Sequence, residues 1–165
     1  MFAVAAEPIA ADKKMQYRHL LDQARALFEG ESDSLANAAN LAALLYHGLP
    51  ELNWAGFYFR RGTDLVLGPF QGRPACVRIP LGSGVCGTAA HRGEVQCVTD
   101  VNAFPGHIAC DAHSRSEIVI PLRRGGEVIG VLDLDSPKLA RFDAQDESGL
   151  TALAALWLEM SRTAV

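Results

Sequence analysis

The sequence has no long apolar run, no excess of positive charge, no cysteines spaced as C-x-x-C and no internal repeat. Each absence removes a class of protein. No stretch approaches the roughly 20 apolar residues that a membrane-spanning helix needs. The formal net charge of −4 offers no long-range attraction for nucleic acid or an anionic membrane, so neither is expected as a partner. Residues 1–10 carry no basic segment and are interrupted by Glu7 and Pro8, so 1–12 reads as a disordered lead rather than a secretory signal. Cysteines are few, four in all. Without a secretory signal they point to a reducing, cytoplasmic setting, where thiols are core, metal-binding or catalytic groups rather than a disulfide framework.

What is present suits one folded unit. The length of 165 residues, with 49% hydrophobic and 21% charged residues, favours a single domain over 13–162 with a real core. Tyr17, Leu20, Leu21, Ala24, Leu27 and Phe28 repeat at helical spacing and Gly30 stops the run. A second helix follows, with Ser32 or Ser34 as its expected cap and Gly48 and Pro50 at its end. Aromatic residues over 53–60 and the segment 65–71 read as a hairpin. Short strands are expected over 77–81 and 94–99, and a longer hairpin over 117–122 and 127–134, joined by Arg123-Arg-Gly-Gly126. A closing helix starts at Asp143 or Ala144 and carries Leu150, Leu153, Ala154, Trp157 and Leu158. Hairpin-joined strands predict an antiparallel sheet of the α+β kind.

The chemistry concentrates in the glycine-punctuated middle. Cys76, Cys86 and Cys110 fall there, and Glu117, Asp133 and Asp135 follow in segments that otherwise read as buried strands. A carboxylate in an apolar strand is costly unless it faces a pocket and meets a partner. Asp133 and Asp135 are two apart, so they share one strand face, with Leu132 and Leu134 on the other; periodicity alone slightly favours a solvated strand end over a pocket. Trp54 and Tyr58 also share a face, either as core or as pocket wall. Gly82-Ser-Gly-Val-Cys-Gly87 matches G-x-G-x-x-G. The helix it could open runs only over about 88–92, too short for the crossover of a dinucleotide-binding unit. Its amides suit an anion such as a carboxylate, and the nearby helix start would lower the pKa of Cys86. His107-x-x-Cys110-x-x-His113 crowds three ligands into one loop, a poor spacing for zinc. The irregular segment 100–115 is long enough to be functional or mobile. Cys97, alone in a short strand, takes the ordinary reading of a buried, inert thiol.

Taken together, Ala75-Cys76, Gly84-Val-Cys-Gly-Thr-Ala-Ala90, Asp100-Val101, Phe104-Pro-Gly-His-Ile-Ala-Cys-Asp111, Ser116-Glu-Ile-Val119 and Gly130-Val-Leu-Asp-Leu-Asp-Ser136 resemble the GAF-domain free methionine-(R)-sulfoxide reductases. The likeness covers about 53–157 and includes the family's three-cysteine order; Cys97 lies outside it. It implies an α+β, GAF-like fold: a six-stranded antiparallel sheet with helices on one face and a loop-covered ligand pocket on the other. It implies reduction of free methionine-(R)-sulfoxide to methionine, with thioredoxin as external reductant, no bound cofactor or metal, and a homodimer. By the same resemblance Cys110 is the nucleophile, Cys86 the principal resolving cysteine and Cys76 a second partner able to form a disulfide. Glu117, Asp133 and Asp135 would bind substrate and support proton transfer, and Trp54 and Tyr58 would line its methyl and sulfur end. The competing expectation is a GAF-type ligand or thiol redox sensor that does not turn over substrate.

Overall fold

A computed structural model describes residues 12–108 and 111–165. The expected lead therefore lies outside the described residues, apart from Asp12, and so does Cys110. Asp12 caps the first helix, α1 (Lys13–Phe28), by accepting from the Lys14 backbone N–H. The second helix, α2 (Ser34–Gly48), is capped by Asp33, which accepts from Ala36 N–H at 2.9 Å, and not by either expected serine. Ser34 is committed elsewhere. Its hydroxyl donates to the Thr163 carbonyl at 2.6 Å, and its N–H donates to Thr163 Oγ1.

Six strands follow the expected order: β1 (Trp54–Arg61), β2 (Asp64–Gly72), β3 (Arg78–Pro80), β4 (Gln96–Val98), β5 (Ser116–Arg124) and β6 (Glu127–Ser136). They form one antiparallel sheet in the order β3-β2-β1-β6-β5-β4. Strand alternation divides their side chains between two layers. Ala55, Phe57, Phe59, Ile118, Ile120, Leu122, Leu132 and Leu134 join residues of α1, α2 and the last helix, α4 (Ala144–Met160), in the main core. Trp54, Tyr58, Val119 and Val131 face the other way and pack with α3 (Gly84–Arg92). The helices are thus not all on one face, because α3 lies on the pocket side.

One buried ionic knot ties the ends of the domain together. Asp146, fully buried, accepts from Tyr17 Oη at 2.8 Å, Lys13 Nζ at 2.5 Å and Arg141 Nη1 at 3.1 Å. It also completes a capping box with Asp143 at the start of α4. Removing one partner of a buried pair leaves uncompensated charge. Asp146→Ala is therefore expected to lower unfolding free energy by about 3–5 kcal/mol, read by urea denaturation; a change below about 1 kcal/mol would contradict this role.

Candidate active site

Sheet register builds the site. In β6, Asp135 lies opposite Trp54 of β1 and Glu117 of β5, while Asp133 lies opposite Gly56 and Val119. The three acids therefore converge on one sheet face although they come from two strands. Gly56 is required there: a Cβ would sit 2.4 Å from Phe70 Cβ and 2.6 Å from Trp54 Cη2. Without it, the Trp54 ring lies over the strand and stacks on Phe70 and Tyr58, with centroids 5.4 and 5.8 Å apart. Trp54 Nε1 donates to the Arg73 carbonyl, and Tyr58 Oη donates to the Cys76 carbonyl at 2.9 Å.

Trp54, Tyr58, Cys86, Glu117, Asp133 and Asp135 all line one pocket. Pro74, Ala75, His107, Ile108, Asp111 and Ser114 line it as well. No lysine or arginine is among these lining residues. Cys76 is half-buried beside Tyr58 and is disulfide-bonded, whereas Cys86 and Cys97 are free thiols. Cys97 departs from the buried reading: it is exposed on β4, a strand at the sheet edge, and its thiol approaches the Phe142 carbonyl at 3.6 Å.

The α3 helix begins at Gly84, four residues before the expected start, and so places Cys86 in its first turn. The helix start does not make Cys86 acidic. Burial pushes the thiol well above its ordinary pKa, and the Asp133 and Glu117 charges push it further. Its Sγ lies 3.8 Å from Glu117 Oε1. Of the glycine-rich amides, Gly82 and Ser83 donate to the carbonyls of Gly87 and Pro80. The amides of Gly84 and Val85, at the pocket wall, stand in the first helical turn, where no intrahelical acceptor exists.

The carboxyl groups are a proton store. Burial raises Asp133 to about 7, with bonds from Cys86 and Glu117 opposing the shift. Glu117 is raised well above its ordinary value by burial and then by the charges of Asp133 and Asp135. Asp135 is raised by burial and by Asp133, while a bond from Ser114 pulls it back. Three such groups cannot all ionise near neutrality. Asp133 Oδ1 is also buried without a hydrogen-bond partner, an atom placed to meet a ligand.

Sequence reasoning missed a support for this cluster. Asn53 Nδ2 donates to Asp111 Oδ2 at 3.1 Å and to Ser114 Oγ at 3.0 Å. That pair clamps the start of β1 to the loop before β5 and orients Ser114 toward Asp135. The Asp111 carboxyl is held low chiefly by the His113 backbone N–H, at 2.9 Å. Asp111 stands within the motif that carries the resemblance, but nothing local in the sequence marks Asn53 or Ser114.

The fold is that of a GAF domain, and residues 29–157 match the GAF domain family model. The chain belongs to the GAF-domain family of free methionine-(R)-sulfoxide reductases. It is 55% identical over 139 residues to the free methionine-R-sulfoxide reductase of Escherichia coli K12, covering 84% of each chain. It is 61% identical over 150 residues to protein YtsP of Bacillus subtilis, covering 90% of this chain and 92% of that one. Among solved structures it resembles the free methionine-R-sulfoxide reductase of Neisseria meningitidis in complex with its substrate. The TM-score is 0.91 at 46% identity, over 97% of this chain and 95% of that chain.

Proposed function

We propose that the protein reduces free L-methionine-(R)-sulfoxide to L-methionine. The observation that carries this reading is the set of three carboxyl groups, Glu117 and Asp133 buried and Asp135 half-buried, around one pocket that has no lysine or arginine among its lining residues. A free amino acid brings an ammonium that such a pocket can hold, and its carboxylate suits the first-turn amides of α3. A peptide-linked methionine sulfoxide lacks that ammonium and would leave the acids unpaired. Trp54 and Tyr58 supply apolar wall for the methylthio end.

The reaction consumes two protons and two electrons. In this reading the Cys110 thiolate attacks the sulfoxide sulfur, Glu117 or Asp133 protonates the sulfoxide oxygen, and that oxygen passes to the Cys110 sulfur as its bond to the substrate sulfur breaks. Methionine leaves, Cys110 is left as a sulfenic acid, and a second thiol condenses with it, releasing water and forming a disulfide. Cys76 is favoured as that second thiol, because it is disulfide-bonded and the Cys86 thiol is buried, hard to ionise and bonded to Glu117. Thioredoxin then returns the disulfide to two thiols in the cytoplasm, and the enzyme works as a homodimer.

The test is reductant consumption with both epimers of free methionine sulfoxide and with a methionine-sulfoxide peptide. Turnover is expected with the free R epimer and at background level with the S epimer and the peptide. No turnover with any of the three would move the assignment to a ligand or redox sensor.

A further inference from the structure

The ligand-capable atoms of Cys86, Glu117 and Asp133 all lie within 4.8 Å of one another, and all three residues are buried. The Cys86 Sγ–Glu117 Oε1 separation is 3.8 Å. Two ligands on one tetrahedral Zn2+, with bonds of about 2.3 Å to sulfur and 2.0–2.2 Å to oxygen, stand about 3.6 Å apart. The remaining separations, at most 4.8 Å, need a contraction of no more than about 1.4 Å to match a metal polyhedron. Independently, Asp133 is 5% exposed and its Oδ1 has no hydrogen-bond partner. Asp135 adds a further acid to the same cavity.

We propose that Cys86, Glu117 and Asp133 form a site for a thiophilic divalent cation of the Zn2+ class, which fills the pocket in competition with an ammonium-bearing ligand. Binding is a ligand exchange without electron transfer. The Cys86 S–H bond breaks, an Sγ–metal bond forms, and the thiol proton passes to solvent with any proton held between the two carboxyl groups. One thiolate and two carboxylates carry one negative charge more than the ion needs for neutrality and leave its fourth position to water. The sulfur ligand selects against Mg2+ and Ca2+, which take oxygen ligands at higher coordination number. The loop histidines that the sequence suggested are not part of this set.

The experiment is a CdCl2 titration of the full chain without reductant, in a Cys97→Ser background that removes the exposed free thiol. One equivalent is expected to raise an ultraviolet thiolate-to-Cd2+ charge-transfer band, undiminished by a tenfold excess of Mg2+ by the coordination argument above. Cys86→Ser should abolish the band. Asp133→Asn, which keeps the thiol, should weaken Cd2+ binding by about tenfold or more. Absence of the band, its survival in Cys86→Ser, or unchanged affinity in Asp133→Asn would each overturn the proposal. The optical signal needs no turnover, so a failure of the proposed reaction would not be mistaken for a failure of metal binding.

Discussion

Serine at position 110 is expected to reduce methionine production to background, a loss on the order of 10³-fold or more. A serine hydroxyl is a far weaker nucleophile than a thiolate, and it forms no sulfenic acid for a second thiol to capture. The three positions separate by how many turnovers survive. Cys110→Ser should release no methionine in a single-turnover experiment. Cys76→Ser should release about one equivalent rapidly and then stall, because the sulfenic acid forms but is captured slowly. Cys86→Ser should retain repeated turnover at reduced rate, since its thiol is bonded to a member of the proton store. Rapid-quench measurement of methionine per protein distinguishes the three. Full multi-turnover activity in Cys110→Ser would eliminate the proposed chemistry.

Asp133→Asn should push activity and stability in opposite directions. Loss of a proton-handling carboxyl in the pocket is expected to lower kcat/KM by about 10²–10⁴-fold. Stability should rise at neutral pH, since the change removes a buried charge flanked by two other acids. The sign follows from proton linkage. Folded Asp133 titrates near 7, against 3.8 for the ordinary group. Between those values the folded chain holds a proton that the unfolded chain has lost, so stability is fully present below the lower value and declines as pH rises through the upper one. The stability difference, variant minus wild type, should therefore grow from pH 4 to pH 8 in urea denaturation. Groups with lowered values, such as Asp111 and Asp143, are common to both proteins and cancel in that difference. A difference that shrinks with pH would show that Asp133 is not a buried acid.

The alternation of Asp133 and Asp135 with Leu132 and Leu134 was readable in the sequence, as was the shared face of Trp54 and Tyr58. It could not say whether that face met solvent or a pocket. The answer depends on which residues lie across the neighbouring strands. Trp54 and Glu117 both face Asp135, from strands 81 and 18 residues away in the chain. No local pattern encodes such pairings. The start of α3 was hidden for a different reason. Gly84, with φ +61°, and Gly87 are poor helix formers, so the first turn read as loop. That turn is where Cys86 enters the pocket wall, and a helix start alone predicts an acidic thiol, whereas burial and then the Asp133 and Glu117 charges make it the reverse. At Gly87 a Cβ would lie 2.4 Å from the Pro80 carbonyl oxygen. That glycine therefore lets α3 sit close against the turn before it, a packing requirement and not a phosphate-binding one.

Strand β6 serves two layers at once, with Leu132 and Leu134 in the helix-side core and Asp133 and Asp135 in the pocket. A slip of one residue against β1 or β5 would exchange them, driving two carboxyl groups into packed hydrocarbon and two leucines into a polar cavity. A misregistered sheet is thereby made costly by the same groups that are proposed to handle substrate. The acids thus help specify how the chain folds, and a variant that neutralises them would gain stability while discriminating less well against misaligned strands.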